Sequence, residues 1–341
     1  MNHNQKIIKY KSVKQIKIEQ NTIEQLYMWD FDFDFYKYKS KSDLILMAYN
    51  MFDDLFYNSN ADIKTNFVDK IDKLKLHSFI CHVSIYYYDT NSYHNFSHAV
   101  SVIHFLYMMI KTMNISTQID EINLFALMIS ALIHDIDHPG HTNLFEINSE
   151  TKLAKKYNNK SILENHHCEF GLNLINLPKI KLLNNLSHNE QIIFKEIITK
   201  SIMSTDMFYH NKLVDKLKQK NISQTNKEIN KQILLCQGLL HLSDLCNSFK
   251  PFDTLFNCIN LLQQEHINQI KKEKENNIFQ SIHLVKQNDN LFNSEINFEK
   301  NIVLPLCEEL EYYFPMIKIL NGRIQTNIKI WQRKIEEIID L

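Results

Sequence analysis

Residues 124–140 read LFALMISALIHDIDHPG, and the reading of this stretch decides the fold. From Leu124 to Ile133 only Ser130 interrupts the apolar side chains, and Leu124, Leu127, Met128 and Ala131 recur at helical spacing. A helix that is apolar on every face belongs inside a protein, among other helices. The run is about half the roughly 20 residues that a membrane span requires, so a core helix is expected. His134 and Asp135 follow it directly. Burying an imidazole beside a carboxylate is unfavourable unless they are paired or bind a metal, and a metal resolves the difficulty.

Outward from this helix the pattern repeats. Ile103, Leu106, Tyr107 and Ile110 have the same spacing, and Asn321-Gly322, a dipeptide that could turn a hairpin, lies between helical patterns instead. The fold class predicted is all-α, a compact multi-helix domain. The chain of 341 residues has only four glycines and five prolines, where average usage of about 7% and about 5% would give roughly 41 in all. Gly140, Gly171, Gly238 and Gly322 are too far apart for a dinucleotide-binding GxGxxG, a P-loop or a GxSxG elbow. With 38 Lys and Arg against 39 Asp and Glu, there is no basic footprint for nucleic acid.

The Lys-rich start lacks the apolar core of a secretory signal, and six cysteines without CxxC spacing read as reduced thiols. A cytoplasmic, intracellular protein with no membrane segment is expected. Residues 1–24 read as an N-terminal extension and 25–341 as one domain; the oligomeric state is not encoded in any feature of the sequence. The Asn-rich stretches 184–190, 221–230 and 287–294 read as loops, and Lys271 to Glu275 as a solvated helix face.

Of sixteen histidines, the informative ones fall in clusters. His94 and His98 are four residues apart, so on a helix they share a face. His134-Asp135-Ile136-Asp137-His138-Pro139-Gly140 comes next, then His241-Leu242-Ser243-Asp244. Imidazole and carboxylate ligands without thiolates suit Zn²⁺, and a shared Asp with several waters suits a second, harder Mg²⁺ or Mn²⁺. Such a pair activates water and neutralises charge in displacement at phosphorus, which makes phosphoester hydrolysis the leading chemistry.

These motifs resemble the class I 3′,5′-cyclic nucleotide phosphodiesterase catalytic domain. The resemblance runs through Tyr93-His94-Asn95 with His98, His134-Asp135 with His138-Pro139-Gly140 and Asn143, Leu163-Glu164-Asn165-His166-His167, Thr205-Asp206-Met207 and Asp244-Leu245-Cys246-Asn247 to Pro305, and Trp29-Asp30-Phe31-Asp32 looks like the family's opening. It implies hydrolysis of cAMP or cGMP, small-molecule substrates, to the 5′-monophosphate. It further implies that His98, His134, Asp135 and Asp244 hold a tight Zn²⁺, with Asp135 shared with Mg²⁺ or Mn²⁺. His94 would be the general acid, its ring positioned by Glu164, with His138, Asn143, His167 and Asp206 around the waters. Tyr93 and Asn247 would line the nucleotide pocket, and Phe298 would clamp the purine. Cys168, after the histidine pair, is similar to a cGMP-specific branch.

The sequence departs from the family pattern in one segment. Counted back from Val303-Leu304-Pro305-Leu306 without gaps, Ser294-Glu295-Ile296-Asn297-Phe298 falls on the family's S-Q-x-G-F, so Glu295 stands where a glutamine holds the purine edge and Asn297 where a glycine stands. With a gap, Gln287 would serve instead. Two rival functions remain open: a catalytically weak nucleotide-binding scaffold, and a metal phosphohydrolase of the wider HD type acting on another nucleotide.

Overall fold

The computed structural model describes residues 40–57, 67–219, 227–286 and 288–339. The expected extension 1–24, its boundary at residue 25, the segment Trp29-Asp30-Phe31-Asp32 and Gln287 all lie outside these residues. Among the described residues the regular elements are all helical, as the periodicity predicts. Those that build the site are α1 (Phe96–Thr112), α2 (Glu121–Ile133), α3 (Ile162–Ile175), α4 (His188–Met203), α5 (Lys227–Asp244), α6 (Phe252–Glu275), α7 (Asn288–Phe298), α8 (Leu304–Tyr313) and α9 (Lys318–Ile339).

Helix α2 is the axis of the fold. Every residue from Leu124 to Ile133 is fully buried, with α1, α3, α4 and α5 packed around it. Its capping residue at the C-terminal end is His134, so the most apolar segment of the chain delivers its first ionisable side chain to the centre of the molecule. The six cysteines are free and buried, as expected.

The structure differs from the sequence reading in several details: residues 227–230 begin α5, and Asn321-Gly322 lies within α9. Residues 288–298 form α7 rather than a loop, because Leu291 and Ile296 are buried and the helix packs on α9. Likewise the 184–190 stretch turns into α4 at His188, where Ser187 and Glu190 cap it reciprocally. Within the charged run, Glu273 is fully buried. Its carboxylate accepts from Gln269 Nε2 at 2.8 Å, Ser281 N at 2.6 Å and Ser281 Oγ at 2.9 Å. Gln269 in turn accepts from the backbone N–H of Thr142 at 2.9 Å, so this polar chain ties α6 to the loop that follows His138-Pro139-Gly140.

Close approach of α3 to α2 depends on Gly171. A Cβ there would lie 2.4 Å from Ile133 Cδ1 and 3.2 Å from Ile133 Cβ, one residue before His134. Overpacking of this kind typically destabilises by about 1–3 kcal/mol. Gly171→Val is therefore expected to lower the urea midpoint by a corresponding amount. A midpoint equal to wild type would show that α3 can move off α2 freely.

Candidate active site

His98 lies in the first turn of α1, His134 and Asp135 follow α2, and Asp244 ends α5. Their side chains converge. His98 Nε2 is 3.1 Å from Asp244 Oδ1 and 3.4 Å from Asp135 Oδ2, while His134 Nε2 is 3.2 Å from each of Asp135 Oδ2 and Asp244 Oδ1 and 3.2 Å from His98 Nε2. The His134 Nδ1–H donates to the Ala131 carbonyl at 2.9 Å, which leaves Nε2 as a lone pair in the neutral ring. Lone pairs and carboxylate oxygens thus face a common point, an arrangement only a cation satisfies. An ion with ligands at about 2.0–2.2 Å has neighbouring ligands roughly 3–3.5 Å apart, and the observed spacings fit. A divalent metal accordingly fits this donor set.

His94 is placed differently from the sequence expectation. It does not share a helix face with His98: Asn95 caps α1 by accepting from Ser97 N at 2.9 Å, and His94 stands in the turn before it. Its ring is stacked on that of His138, with centroids 4.1 Å apart. Its partner is also different. The His94 Nδ1–H donates to Glu265 Oε1, and Glu265 Oε2 accepts from the backbone N–H groups of Tyr93 at 3.0 Å and His94 at 3.1 Å. Glu164, expected to hold this ring, instead receives Asn143 Nδ2 on both carboxylate oxygens, at 3.1 and 3.0 Å. Glu265 thus replaces Glu164 as the residue that positions His94. Nothing in the local sequence Gln263-Gln264-Glu265-His266 marks it, because the contact joins residues 171 apart. Asn91, also missed, donates to the carbonyls of His94 at 2.9 Å and His138 at 2.8 Å.

The electrostatics follow from these contacts. Burial works against an imidazolium at His94, but the Glu265 carboxylate more than compensates and raises its pKa to about 9. Burial likewise opposes ionisation of Glu265, and His94 pulls its carboxyl well below the usual range. Around Asp135 the remaining predicted residues assemble. His167 donates Nδ1–H to the Ile136 carbonyl at 2.6 Å and turns Nε2 toward Asp135 Oδ1 at 3.8 Å. Asp206 accepts from Ser161 Oγ at 2.7 Å. Glu164 is pushed up to about 7 by burial and by Asp206. These groups set further oxygen and nitrogen atoms beside Asp135.

A cavity of about 570 Å³ opens beside the cluster, lined by Tyr93, His94, Asp244, Asn247, Glu295 and Phe298 among others. Asn247 Nδ2 donates to Tyr93 Oη at 2.6 Å, and Asn247 Oδ1 is buried without a partner. Asn297 is exposed, so the glycine-to-asparagine departure is absorbed by solvent. Cys168 is buried, with its thiol directed at Thr199 Oγ1 at 3.5 Å, and is not among the residues that line the cavity.

This constellation has counterparts in known proteins. The chain is 29% identical over 261 residues to a probable 3′,5′-cyclic-AMP phosphodiesterase of Caenorhabditis elegans, covering 74% of this chain and 39% of that one. It is 28% identical over 233 residues to the human high affinity cGMP-specific 3′,5′-cyclic phosphodiesterase 9A, with 68% and 39% covered. The chain thus spans about two fifths of the length of these relatives. The crystal structure of the phosphodiesterase domain of the RhoPDE fusion protein from Salpingoeca rosetta superposes with a TM-score of 0.82 at 29% identity, covering 93% of this chain and 97% of that one. Among the described residues no helix is long and apolar enough to cross a membrane. Residues 93–323 match the family of 3′5′-cyclic nucleotide phosphodiesterases, and the chain belongs to it.

Proposed function

We propose that this chain, over residues 25–341, hydrolyses a purine 3′,5′-cyclic nucleotide to the 5′-monophosphate. The observation that carries the reading is the meeting of His98, His134, Asp135 and Asp244 beside a cavity that Asp244 and His94 line, with Glu265 favouring the protonated form of His94. The donor set favours Zn²⁺ at these four residues and Mg²⁺ or Mn²⁺ at the second position, shared through Asp135. When bound, such a pair supplies a water of lowered pKa and neutralises charge building on the phosphoryl oxygens.

The chain's own residues supply the remainder. His94, held by Glu265 through Nδ1, presents its Nε2–H to the departing O3′. As the P–O3′ bond breaks, its electron pair goes to O3′ and the proton makes the 3′-hydroxyl. Placed acids of this kind contribute about 10²–10⁴-fold. Stacking by His138 fixes the plane of the His94 ring. At the other end of the cavity Phe298 offers its face to the purine, Asn247 Oδ1 an acceptor, and Glu295 a carboxyl at the base edge. Burial pushes Glu295 up to about 7, with Lys286 working against it. Ionised, that carboxyl accepts from guanine N1–H and N2–H₂; protonated, it can also donate to adenine N1. The reading is therefore a preference for cGMP that strengthens as pH rises through 7.

Removing the metal ligand that arrives from the C-terminal half tests the first element. Asp244→Ala is expected to abolish turnover, lower bound metal and lower the Tm, because metal affinity is also folding free energy. Metal analysis with a melting curve checks it, and full zinc content with full activity would dismiss the assignment.

The acid makes its own prediction. Glu265→Gln removes the charge that favours the His94 imidazolium, so His94 loses its proton at lower pH. The alkaline limb of kcat/KM should move toward acid by a unit or more, and kcat should fall by about 10- to 100-fold. Metal content should not change. For His94→Ala the loss should shrink with a nitrophenyl leaving group, which needs no proton. An alkaline limb unmoved by Glu265→Gln would remove His94 as the titrating acid.

A further inference from the structure

Beyond the base-edge carboxyl lies a second one that the mechanism does not use. Glu299 is 1% exposed, and the groups that act on its carboxyl are the Ser248 hydroxyl and the Glu295 charge, with no cation among them. It is four residues after Glu295 on a continuous helical segment, where α7 runs into the π turn Glu299–Val303. At that separation two side chains lie on one face, with Cβ atoms about 5–6 Å apart. Glu295 lines the cavity and Glu299 is not among the residues that do, so the pair is arranged as an outer and an inner carboxyl.

The surroundings fix how such a pair can be charged. Facing Glu295 is Lys286, whose ammonium donates to Ser294 Oγ, and His266 and His283 line the same cavity. Facing Glu299 are the Ser248 hydroxyl from the turn after α5, the Cys307 thiol on α8 and Glu295 itself. The only cation in this set, Lys286, stands on the outer carboxyl. Two anions one turn apart, the inner one buried and without a cation, are not a stable arrangement. One proton relieves both problems, and the inner carboxyl is where it belongs.

We propose that Glu299 is a positioning residue for purine recognition: it retains its proton and directs it toward the Glu295 carboxylate, so that the pair presents one negative charge to the base edge. The inference rests on the reading that Glu295 faces the purine. Burial supports it by pushing Glu299 up to about 8; Ser248 works against that shift and Glu295 adds to it. As long as Glu299 is neutral it is a donor, and a donor favours ionised Glu295. The cGMP preference then depends on a side chain that does not touch the substrate.

The test is the ratio of KM for cAMP to KM for cGMP, measured from pH 6 to 9 on the metal-loaded protein. Wild type should show the ratio rising through a midpoint near neutrality. E299L removes the donor, so Glu295 should ionise later: the midpoint should move alkaline by about one unit and KM for cGMP at pH 7.5 should rise several-fold, with kcat much less affected. E299Q retains an N–H donor and should restore the wild-type midpoint. A merely structural role for Glu299 would lower the Tm and affect both nucleotides alike. An E299L midpoint equal to wild type overturns the inference, as does an E299Q midpoint displaced as far as that of E299L. E295Q separates this from failure of the underlying reading: if it leaves both KM values and their pH dependence unchanged, Glu295 does not face the base and both fall together.

Discussion

The structure depends on the convergence of two buried imidazoles and two half-buried carboxylates at one point. His98, His134, Asp135 and Asp244 come from three places in the chain, and each is brought there by a helix that packs apolar residues into the core. In a low-dielectric interior such a group is unfavourable without a compensating cation. The helices around α2 therefore do more than fill a core: they hold acceptors at a spacing that suits a divalent ion. The rigidity this needs is visible in Gly171, where the absence of a side chain lets α3 lie against Ile133. Glu164 and His167 on α3 consequently reach the rim of the same cluster.

A second ion pair, between His94 and Glu265, sets the proton inventory of the site. The folded-state pKa of His94 is raised from 6.5 to about 9, so its contribution to stability is complete below about 6.5 and is lost as pH rises through about 9. Glu265 is depressed from 4.5; its contribution is present above about 4.5 and lost as pH falls toward its folded value. Between those limits the pair stabilises the docking of α6 against the turn 91–95. The group proposed to deliver a proton is thus held in its protonated state by the same contact that fastens one side of the cavity. Function and local stability share one pH window.

What was legible in the sequence divides along the same physical lines. The core helix, the ligand cluster and the all-α class were readable because burial, spacing and residue chemistry coincide within short segments such as 124–140. The family resemblance extended this to Asn143, His167 and Asp206, which the structure gathers around Asp135 and Glu164. Glu265 was not readable. It sits in a polar stretch of an amphipathic helix, and its meaning comes from a tertiary contact with backbone N–H groups far away in the chain. The misreading of His94 and His98 as one helix face has a related cause: Asn95 is a strong capping residue, and a cap between two residues breaks the i, i+4 geometry that spacing alone suggests. Glu273, taken for a solvated charge, was hidden in the same manner, since its three partners lie outside its own sequence neighbourhood or on its inner face.

The departures from the family pattern acquire sense when the cavity is read from end to end. One end gathers acceptors whose charge a bound cation offsets. The other end places Glu295 beside Lys286 with Glu299 one turn further in, where burial rather than ionic pairing governs protonation. A glutamine at the base edge is indifferent to pH and, by turning its amide, to which purine it meets. A carboxyl is indifferent to neither, because gaining a proton changes both its charge and its donor count. Substituting one for the other converts base recognition from a question of amide orientation into one of proton occupancy. Proton occupancy in turn is set by neighbours that never meet the substrate, so on the proposed reading the choice of purine extends into the helix behind the pocket.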